Sequence, residues 1–376
     1  MNLPNLRCSL CARPYSITEL AWLCACGGIL DVERFTRPLP DGNTLTQRGP
    51  TLWRYREALP VPFDSNVSMG EGMTPLLPAP GLPGAWIKVD FLMPTLSFKD
   101  RGAVMLATLA KIIRPDLLIV DSSGNAGTAV AAYAARVELP CEIYVPAATS
   151  PGKLAQMRAH GADVRLVDGN REDTADAAAE AAGKPGVMYA SHVYHPYFLH
   201  GTKTYAYELF EQLGVVPRAL VLPVGNGTLL LGAYLGFREL VEQGLARSMP
   251  TIVGVQAAGC APLAGAIEDG RRELRPVQSE PTIAEGIAIA TPARGAQILA
   301  AVRSTGGTIV TVTDDEITSA KADLAACGFF VEPTSAVCWA ALARARAVSG
   351  QDGALAALHG ERVVIPLCGA GLKSAK

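Results

Sequence analysis

Short apolar runs alternate with helical segments along most of this 376-residue chain, and this alternation limits the fold more than any other feature. The run LLIVD at 117–121 leads into the turn SSGNAG and then into the Ala-rich segment TAVAAYAARVEL. The run ALVLPV at 219–224 leads in the same way into GNGT and the helical pattern LLLGAYLGFRELVEQG. Uninterrupted apolar strands joined by helices are typical of parallel strands that are buried on both faces.

The same pattern continues elsewhere in the chain. Further strands are predicted at CEIYVP, DVRLVD, GVMYAS, TIVGVQA, TIVTVT and RVVIPLC, with a helix at KLAQMRAHG. We therefore expect an open, doubly wound α/β architecture, whose sites gather at the carboxyl ends of strands. The turns SSGNAG, GNGT and CGAG all follow such strands and are candidate site loops. Residues 36–70, rich in Pro, Gly and polar residues, are predicted to form a connecting arm with one short helix.

Composition excludes several functional classes. A net charge of −2, with 18% charged and 49% hydrophobic residues, provides neither a basic surface for nucleic acid nor an acidic tail. No apolar run reaches the roughly 18–20 residues that a membrane helix needs. The opening MNLPNLRCSL has neither a charged leader nor an apolar signal core, so we expect a cytoplasmic protein without a membrane or nucleic-acid partner.

Four of the nine cysteines lie within the first thirty residues. Cys8 and Cys11 form a Cys-x-x-Cys pair, and Cys24 and Cys26 form a tighter pair before two glycines. Two such pairs on facing hairpins can present four thiolates to a structural zinc ion. The second pair is one residue shorter than the usual knuckle, so a small apolar module with packed cysteines is the alternative.

The two glycine-containing turns suggest anion sites. GNGT, at 225–228, opens a helix, where backbone N–H groups and the helix dipole favour a phosphate. SSGNAG, at 122–127, offers hydroxyl and amide groups at another helix start, suited to a substrate carboxylate. The alternatives are an ordinary strand–helix turn and an N-cap. GNGT is neither a Walker loop nor a dinucleotide fingerprint, because it lacks the Lys-Ser/Thr pair and the third spaced glycine.

A single lysine, Lys99, stands in TLSFKDRGA at 95–103. Taken alone it is an ordinary surface lysine at a helix start. Together with a phosphate turn and a carboxylate turn, and without a metal triad or a Ser-His-Asp set, it suggests pyridoxal phosphate. That cofactor needs a lysine for its Schiff base, a phosphate site and a partner for its ring nitrogen.

These motifs resemble those of the fold type II pyridoxal-phosphate enzymes, most closely the threonine synthase-like branch. They occur in the family's order over about residues 70–373, and are GEGMTPL (70–76), SFKDRGA (97–103), SSGNAG (122–127), GTKT (201–204), PVGNGT (223–228), AEGIA (284–288), VEPTSA (331–336) and CGAGLK (368–373). The resemblance implies a tryptophan synthase β-like fold with two open parallel-sheet α/β domains and an N-terminal Cys-rich, zinc-ribbon-like module. It also implies a homodimer that acts on a small amino-acid substrate.

The resemblance further implies domain boundaries. The Cys-rich module would span 1–35. The large pyridoxal-phosphate-binding domain would combine 36–104 and 206–376, and the small, mobile, substrate-clamping domain would span 105–205.

Site roles also follow from the resemblance. Lys99, after Phe98, would form the Schiff base, Asn125 would bind the ring hydroxyl oxygen, and Glu285 and Gly286 would lie along one ring face. The cofactor phosphate would be held by Gly225, Asn226, Gly227 and Thr228. The substrate carboxylate would be held by Ser122, Ser123, Gly124, Asn125, Ala126 and Gly127.

Cys368 would face the ring nitrogen of the cofactor, with Glu332 nearby. A neutral thiol cannot hold the pyridine protonated as a carboxylate would, which favours elimination over transamination. The alternatives are a buried core cysteine for Cys368 and a helix-terminal acid for Glu332.

The sequence departs from threonine synthases at three positions. Phe198 stands where they place an Arg two residues beyond a proline, Ala126 where they carry a Thr, and Leu96 where they carry a Gly. The missing Arg removes a bidentate contact to a substrate phosphate. Residues that could replace it are His195, His200 and Lys203.

Three activities therefore stay open. The first is a threonine synthase that uses O-phosphohomoserine. The second is a serine/threonine dehydratase-like β-eliminase or a β-replacement enzyme with a specialised substrate, which SSGNAG, TIAEGIA and Cys368 favour. The third is a non-catalytic ligand-binding homologue, against which the intact Lys99 argues.

Overall fold

The computed structural model describes residues 3–33, 35–169, 171–275, 277–348 and 353–373. Its strands are β1 (Leu6–Cys8), β2 (Pro14–Tyr15), β3 (Leu30–Val32), β4 (Leu76–Pro78), β5 (Ala85–Lys88), β6 (Leu117–Val120), β7 (Cys141–Pro146), β8 (Asp163–Val167), β9 (Val187–Tyr189), β10 (Ala219–Pro223), β11 (Thr251–Ala257), β12 (Thr308–Val312) and β13 (Val363–Pro366). Its α-helices are α1 (Gly42–Thr46), α2 (Asp100–Ile113), α3 (Asn125–Arg136), α4 (Pro151–Ala159), α5 (Arg171–Ala182), α6 (Tyr197–Thr202), α7 (Thr204–Leu213), α8 (Thr228–Glu242), α9 (Pro262–Glu268), α10 (Gly295–Ser304), α11 (Asp314–Ala326) and α12 (Pro333–Ala347).

The chain forms two compact units, and the first comprises the residues up to Gly72 together with Met93–Thr202. The Cys-rich segment folds as a small antiparallel sheet in the order β2-β1-β3. A second sheet, in the order β8-β7-β6-β9, is parallel throughout. Helix α3 packs against the central strands and α2 packs against α3 and α6, so their alanine, leucine and valine side chains form the core of this unit.

The second unit comprises Met73–Leu92 and the residues from Lys203 onward. Its six-stranded sheet has the order β12-β11-β10-β13-β5-β4. All neighbours are parallel except β4, which pairs antiparallel with β5 at one edge. Strand β10 is fully buried, as its unbroken apolar sequence requires, and α12 covers the sheet with Val337, Trp339 and Leu342.

The predicted α/β fold of parallel sheets is confirmed, and each predicted strand is present. Strand β8 was expected to be buried on both faces, but three of its five residues are exposed because it lies at the edge of its sheet. The sequence reasoning missed β4 and β5. The arm at 36–70 holds α1 and also a 3-10 helix at Leu52–Ala58, one helix more than expected. The domain boundaries stay a prediction.

Within the described part of the chain, no helix is both long and apolar enough to cross a bilayer.

Candidate active site

Lys99 is the N-cap residue of α2 in the first unit. The turn before it is held by the buried Asp100, whose carboxylate accepts the backbone N–H of Thr95 at 2.7 Å and the Thr95 hydroxyl. Leu96, inside this turn, has a left-handed backbone with φ of +63°. The turn therefore fixes where the Lys99 side chain leaves the backbone.

Two aromatic rings flank the Lys99 ammonium. Its Nζ lies 4.6 Å from the ring centroid of Phe98 and 5.8 Å from that of Phe198. Phe198 is fully buried and lies directly over Gly102, where an added Cβ would come within 2.3 Å of the ring. A glycine is therefore required at 102 for α2 and α6 to approach. Phe198 therefore places an apolar ring without a hydrogen-bond donor at the position where the resemblance implies an Arg.

The SSGNAG turn follows β6 in the same unit, as predicted. Helix α3 begins at Asn125 with Gly124 as its N-cap residue, and Gly124 donates its N–H to Ser122 Oγ at 3.3 Å. A Cβ added at Gly127 would lie 2.0 Å from the Ser122 carbonyl oxygen, whereas one added at Gly124 would meet nothing within 4 Å. The turn is tight on its inner side and open at Gly124, which leaves room for a ligand to approach the backbone.

Asp121, immediately before this turn, is tied to β9. Its carboxylate accepts a hydrogen bond from the Tyr189 hydroxyl. Burial raises the pKa of the Asp121 carboxyl, and the Tyr189 hydrogen bond and the charge of Arg171 oppose that rise. No local sequence pattern indicates this contact, because the two residues are 68 positions apart and meet only through the parallel pairing of β6 with β9.

In the second unit the GNGT turn opens α8. Gly227 is the N-cap residue, with a left-handed φ of +72°, and it has no side chain with which to cap the helix. A Cβ at Gly225 would come within 2.9 Å of Ile287, next to the predicted ring-face residues Glu285 and Gly286. The helix start offers backbone N–H groups without a side-chain cap, a geometry that suits an anion such as the predicted phosphate.

Other predicted cofactor residues of the second unit also lie together. Cys368 follows β13 and is 1% exposed. The carboxylate of Glu332 covers the adjacent Gly369, where an added Cβ would come within 2.6 Å of both its oxygens. Ser335 Oγ accepts the Gly369 N–H at 3.0 Å. Glu332 therefore borders the turn that carries Cys368, the neighbourhood that the resemblance implied.

Thr334 was not singled out from the sequence. A Cβ at Gly286 would lie 2.8 Å from Thr334 Oγ1, so this hydroxyl borders the Glu285-Gly286 turn. Its position in the motif VEPTSA, two residues after Glu332, could have indicated Thr334 as a candidate site residue.

Lys203, one of the residues that could replace the missing Arg, belongs to a buried ion pair. Its ammonium lies 2.9 Å and 3.0 Å from the two carboxylate oxygens of Glu239, which also accepts the Tyr207 hydroxyl. Burial lowers the pKa of Lys203, and Glu239 opposes that shift. Lys203 thus has a structural partner in the second unit. His195 and His200 are buried in the first unit and pack against Tyr197.

The four N-terminal cysteines converge. Their sulfur atoms all lie within 4.8 Å of one another, with Cys11–Cys24, Cys11–Cys26 and Cys24–Cys26 each at 3.5 Å. Four thiolates about 2.3 Å from a tetrahedral zinc would be about 3.8 Å apart, so the set fits such an ion. The backbone N–H of Cys26 and the Tyr15 hydroxyl lower the pKa of the Cys24 thiol to about 6, whereas the hydrogen bonds of Cys26 to the other three sulfur atoms raise its own pKa to about 12.

Comparison with known proteins identifies the family. The family described as "Pyridoxal-phosphate dependent enzyme" matches residues 67–369. The threonine synthase of Methanosarcina acetivorans is 36% identical over 349 residues, which cover 90% of this chain and 86% of the relative. This chain belongs to the pyridoxal-phosphate-dependent enzymes, in their threonine synthase-like branch. The prediction of a pyridoxal-phosphate-dependent lyase of this branch is therefore confirmed.

Two further similarities also cover most of the chain. The threonine synthase of Methanocaldococcus jannaschii is 34% identical over 380 residues, covering 98% of this chain and 92% of the relative. The solved structure of the processed form of threonine deaminase isoform 2 from Solanum lycopersicum has a TM-score of 0.67 and 25% identity, covering 89% of this chain and 87% of that one. The expected fold type II architecture is thereby confirmed.

Proposed function

We propose that this enzyme is a threonine synthase, which converts O-phospho-L-homoserine and water into L-threonine and phosphate. The observation that carries the proposal is the Lys99 turn, fixed by Asp100 and flanked by Phe98 and Phe198. The similarity to threonine synthases over most of their length supports the choice of reaction.

The residues of each unit, taken by itself, fit a part of pyridoxal phosphate. Bound there, the cofactor would act as an electron sink that makes the α-proton of an amino acid removable. Gly225, Asn226, Gly227 and Thr228 would hold its phosphate, because the helix start offers backbone donors and no competing side-chain cap at Gly227. Cys368 would face the ring nitrogen and Asn125 the ring hydroxyl. Glu285 and Gly286 would border one face of the ring.

Lys99 would hold the cofactor covalently at rest and move the α-proton during turnover. Its aromatic neighbours, Phe98 and Phe198, restrict where its side chain can lie. The α-carboxylate of the substrate would lie in the turn from Ser122 to Gly127, where Gly124 leaves the backbone accessible. We retain the small domain at 105–205 as the part that closes over substrate and excludes water.

A second candidate reaction is favoured by one observation. Phe198 places a fully buried apolar ring where threonine synthases have an Arg, so one strong contact to a substrate phosphate is missing. A β-eliminase that acts on serine or threonine, or a β-replacement enzyme, needs no such contact.

Product analysis distinguishes these reactions. The cofactor-loaded protein would be supplied separately with O-phosphohomoserine, serine, threonine and O-phosphoserine. Threonine and phosphate from the first substrate support the proposal, whereas keto acid and ammonia from the others support the eliminase. A lack of product from all four would overturn both. Borohydride reduction followed by peptide mapping should place the cofactor on Lys99; modification of another lysine would refute the site.

We also propose that Cys8, Cys11, Cys24 and Cys26 bind structural zinc. Elemental analysis of the purified protein should find about one zinc per chain. The Cys24→Ser variant should lose it, whereas Cys327→Ser, which changes an exposed cysteine outside the cluster, should keep it. Equal zinc content in all three proteins would contradict the assignment.

A cytoplasmic homodimer is proposed from the family resemblance. Sedimentation equilibrium should give about twice the 39.4 kDa chain mass, and a monomer at micromolar concentration would contradict it. Fractionation of native cells tests the compartment, and recovery with a membrane or secreted fraction would contradict a cytoplasmic location.

A further inference from the structure

His192 is a buried residue that neither the motifs nor the proposed function uses. It follows β9 in the first unit and is only 7% exposed. Among the residues that the structure describes, its Nδ1 atom has no hydrogen-bond partner. Buried polar atoms are nearly always partnered, so an exception at this depth calls for an explanation, and a bound ligand is one.

The surroundings of His192 place it beside the candidate catalytic lysine. Its ring centroid lies 5.9 Å from that of Phe198, in an edge-on arrangement, and the Phe198 ring in turn lies 5.8 Å from Lys99 Nζ. Burial, the charge of Lys99 and the charge of Arg171 hold the pKa of the His192 imidazole well below its usual value. The imidazole is therefore neutral at physiological pH and can exchange hydrogen bonds with an uncharged oxygen.

The sheet topology gives His192 a second link to the substrate. Strand β9 pairs in parallel with β6, so the segments that follow both strands lie at the same edge of the sheet. The segment after β6 is SSGNAG, the proposed carboxylate turn. The segment after β9 carries His192 three residues beyond Tyr189, the residue that bonds Asp121.

We propose that His192 is a specificity-determining residue, whose Nδ1 atom hydrogen-bonds the oxygen attached to Cγ of the amino-acid substrate. This inference rests on the proposed function. The substrate carboxylate is assigned to SSGNAG and the amine to the Lys99 site, which leaves the side chain to be recognised. Phe98 and Phe198 can pack against its methylene groups but cannot bond its oxygen. Among the described residues, His192 Nδ1 and Ser97 Oγ are both buried polar atoms near Lys99 that lack a hydrogen-bond partner, and we assign the side-chain oxygen to His192 because its ring packs against Phe198.

Binding of two matched amino acids tests the proposal without requiring turnover. L-homoserine and L-norvaline have side chains with equal numbers of heavy atoms, and a hydroxyl in the first replaces a methyl group in the second. Each would be titrated into cofactor-loaded, full-length protein while the visible absorption band of the lysine-bound cofactor is followed. The proteins would be wild type, His192→Ala, His192→Asn and His359→Asn. His359 is an exposed histidine of the second unit and serves as the matched control.

We expect His192→Ala to raise the Kd of L-homoserine about tenfold, since one hydrogen bond is lost. The Kd of L-norvaline should change by less than about twofold. His192→Asn, whose amide can occupy roughly the position of Nδ1, should recover part of the loss, and His359→Asn should match wild type.

Two results would overturn the inference while leaving the proposed function intact. One is an equal loss of affinity for both amino acids in both His192 variants, which would indicate a purely structural residue. The other is unchanged L-homoserine affinity in both variants. If wild type has no visible band, or neither amino acid perturbs it, the proposed function fails and the inference fails with it.

Discussion

The indole ring of Trp22 meets the ring of Tyr189 edge-on, with centroids 5.2 Å apart and an interplanar angle of 90°. Trp22 lies two residues before Cys24, and the Tyr189 hydroxyl bonds Asp121, the residue that precedes Ser122. The aromatic contact therefore connects the cysteine cluster to the proposed carboxylate turn within the first unit. Tyr194 completes the arrangement, with its ring 5.1 Å from that of Trp22.

Trp22→Ala should weaken both the fold and substrate binding. The substitution removes two aromatic contacts of a half-buried side chain, which should lower the free energy of unfolding by about 2 kcal/mol. Because Tyr189 then loses its lateral support, KM should rise more than kcat falls. Urea unfolding and steady-state kinetics measure the two effects. Trp22→Phe keeps a ring in place and should lie between the variant and wild type; an unchanged KM in Trp22→Ala would show that the contact serves stability alone.

Tyr189→Phe should destabilise the protein in a pH-dependent way. The hydroxyl bonds the Asp121 carboxylate, and a hydrogen bond to this group contributes about 1.5–3 kcal/mol when the carboxylate is ionised. Burial raises the folded-state pKa of Asp121 above its usual 3.8, and removing the hydroxyl raises it further. The cost should therefore be complete well above the folded pKa and should shrink as pH falls through it, because the protonated carboxyl needs less compensation.

Urea unfolding of wild type and Tyr189→Phe at pH 7.5 and pH 4.5 measures this difference. Tyr144→Phe provides a control, since Tyr144 bonds the carboxylate of Glu142, whose pKa is lowered rather than raised. A Tyr189→Phe cost that is the same at both pH values would refute the role of Asp121 ionisation.

The sequence predicted much of the fold because its signals are local. Strand β10 is an unbroken apolar run, and the GNGT turn that follows it marks the start of a helix. Both could therefore be recognised without knowing which strands or helices they pack against. The edge strand β8 shows the limit of this reasoning. Its sequence is as strand-like as that of β7, and only the order of strands decides that one is buried and the other exposed.

Candidate site residues that belong to short sequence motifs could be predicted. Those whose position depends on contacts between distant parts of the chain could not. Lys99 could be named through the family motif SFKDRGA, and the cysteine cluster from the spacing of its cysteines. Tyr189 and His192 could not, because their roles depend on the neighbouring strand β6 and on Phe198. Lys203 illustrates a further difficulty. Its place in a family motif suggests a contact to a ligand, and the sequence does not indicate that its ammonium is paired with the buried carboxylate of Glu239.

Lys203→Met should be severely destabilising because it leaves Glu239 buried without a counter-charge. Breaking one side of a buried ion pair typically costs about 3–5 kcal/mol. In the double variant Lys203→Met/Glu239→Gln, the uncompensated charge is gone and an oxygen is kept for the Tyr207 hydroxyl. We therefore expect the double variant to recover most of the loss in chemical denaturation. A double variant no more stable than Lys203→Met would contradict the ion-pair explanation.

Substitutions of Leu96 test the geometry of the Lys99 turn. Glycine usually stabilises a folded protein less than alanine does, but at this position we expect the opposite order. Its φ of +63° lies in the left-handed region, which costs a residue with a Cβ about 1–2 kcal/mol. Both Leu96→Gly and Leu96→Ala remove the same half-buried side chain, but only glycine relieves the backbone. Leu96→Gly should therefore be more stable than Leu96→Ala by about 1 kcal/mol, although glycine gains more entropy in the unfolded chain.

Urea unfolding of wild type and the two Leu96 variants measures this order. The contact between Asp100 and Thr95 spans the turn and does not involve the Leu96 side chain. Both variants should consequently keep the visible absorption band of the lysine-bound cofactor, since Lys99 stays at the start of α2. If Leu96→Ala proves the more stable of the two, the backbone at position 96 is not left-handed in solution, and the geometry assigned to the Lys99 turn is wrong.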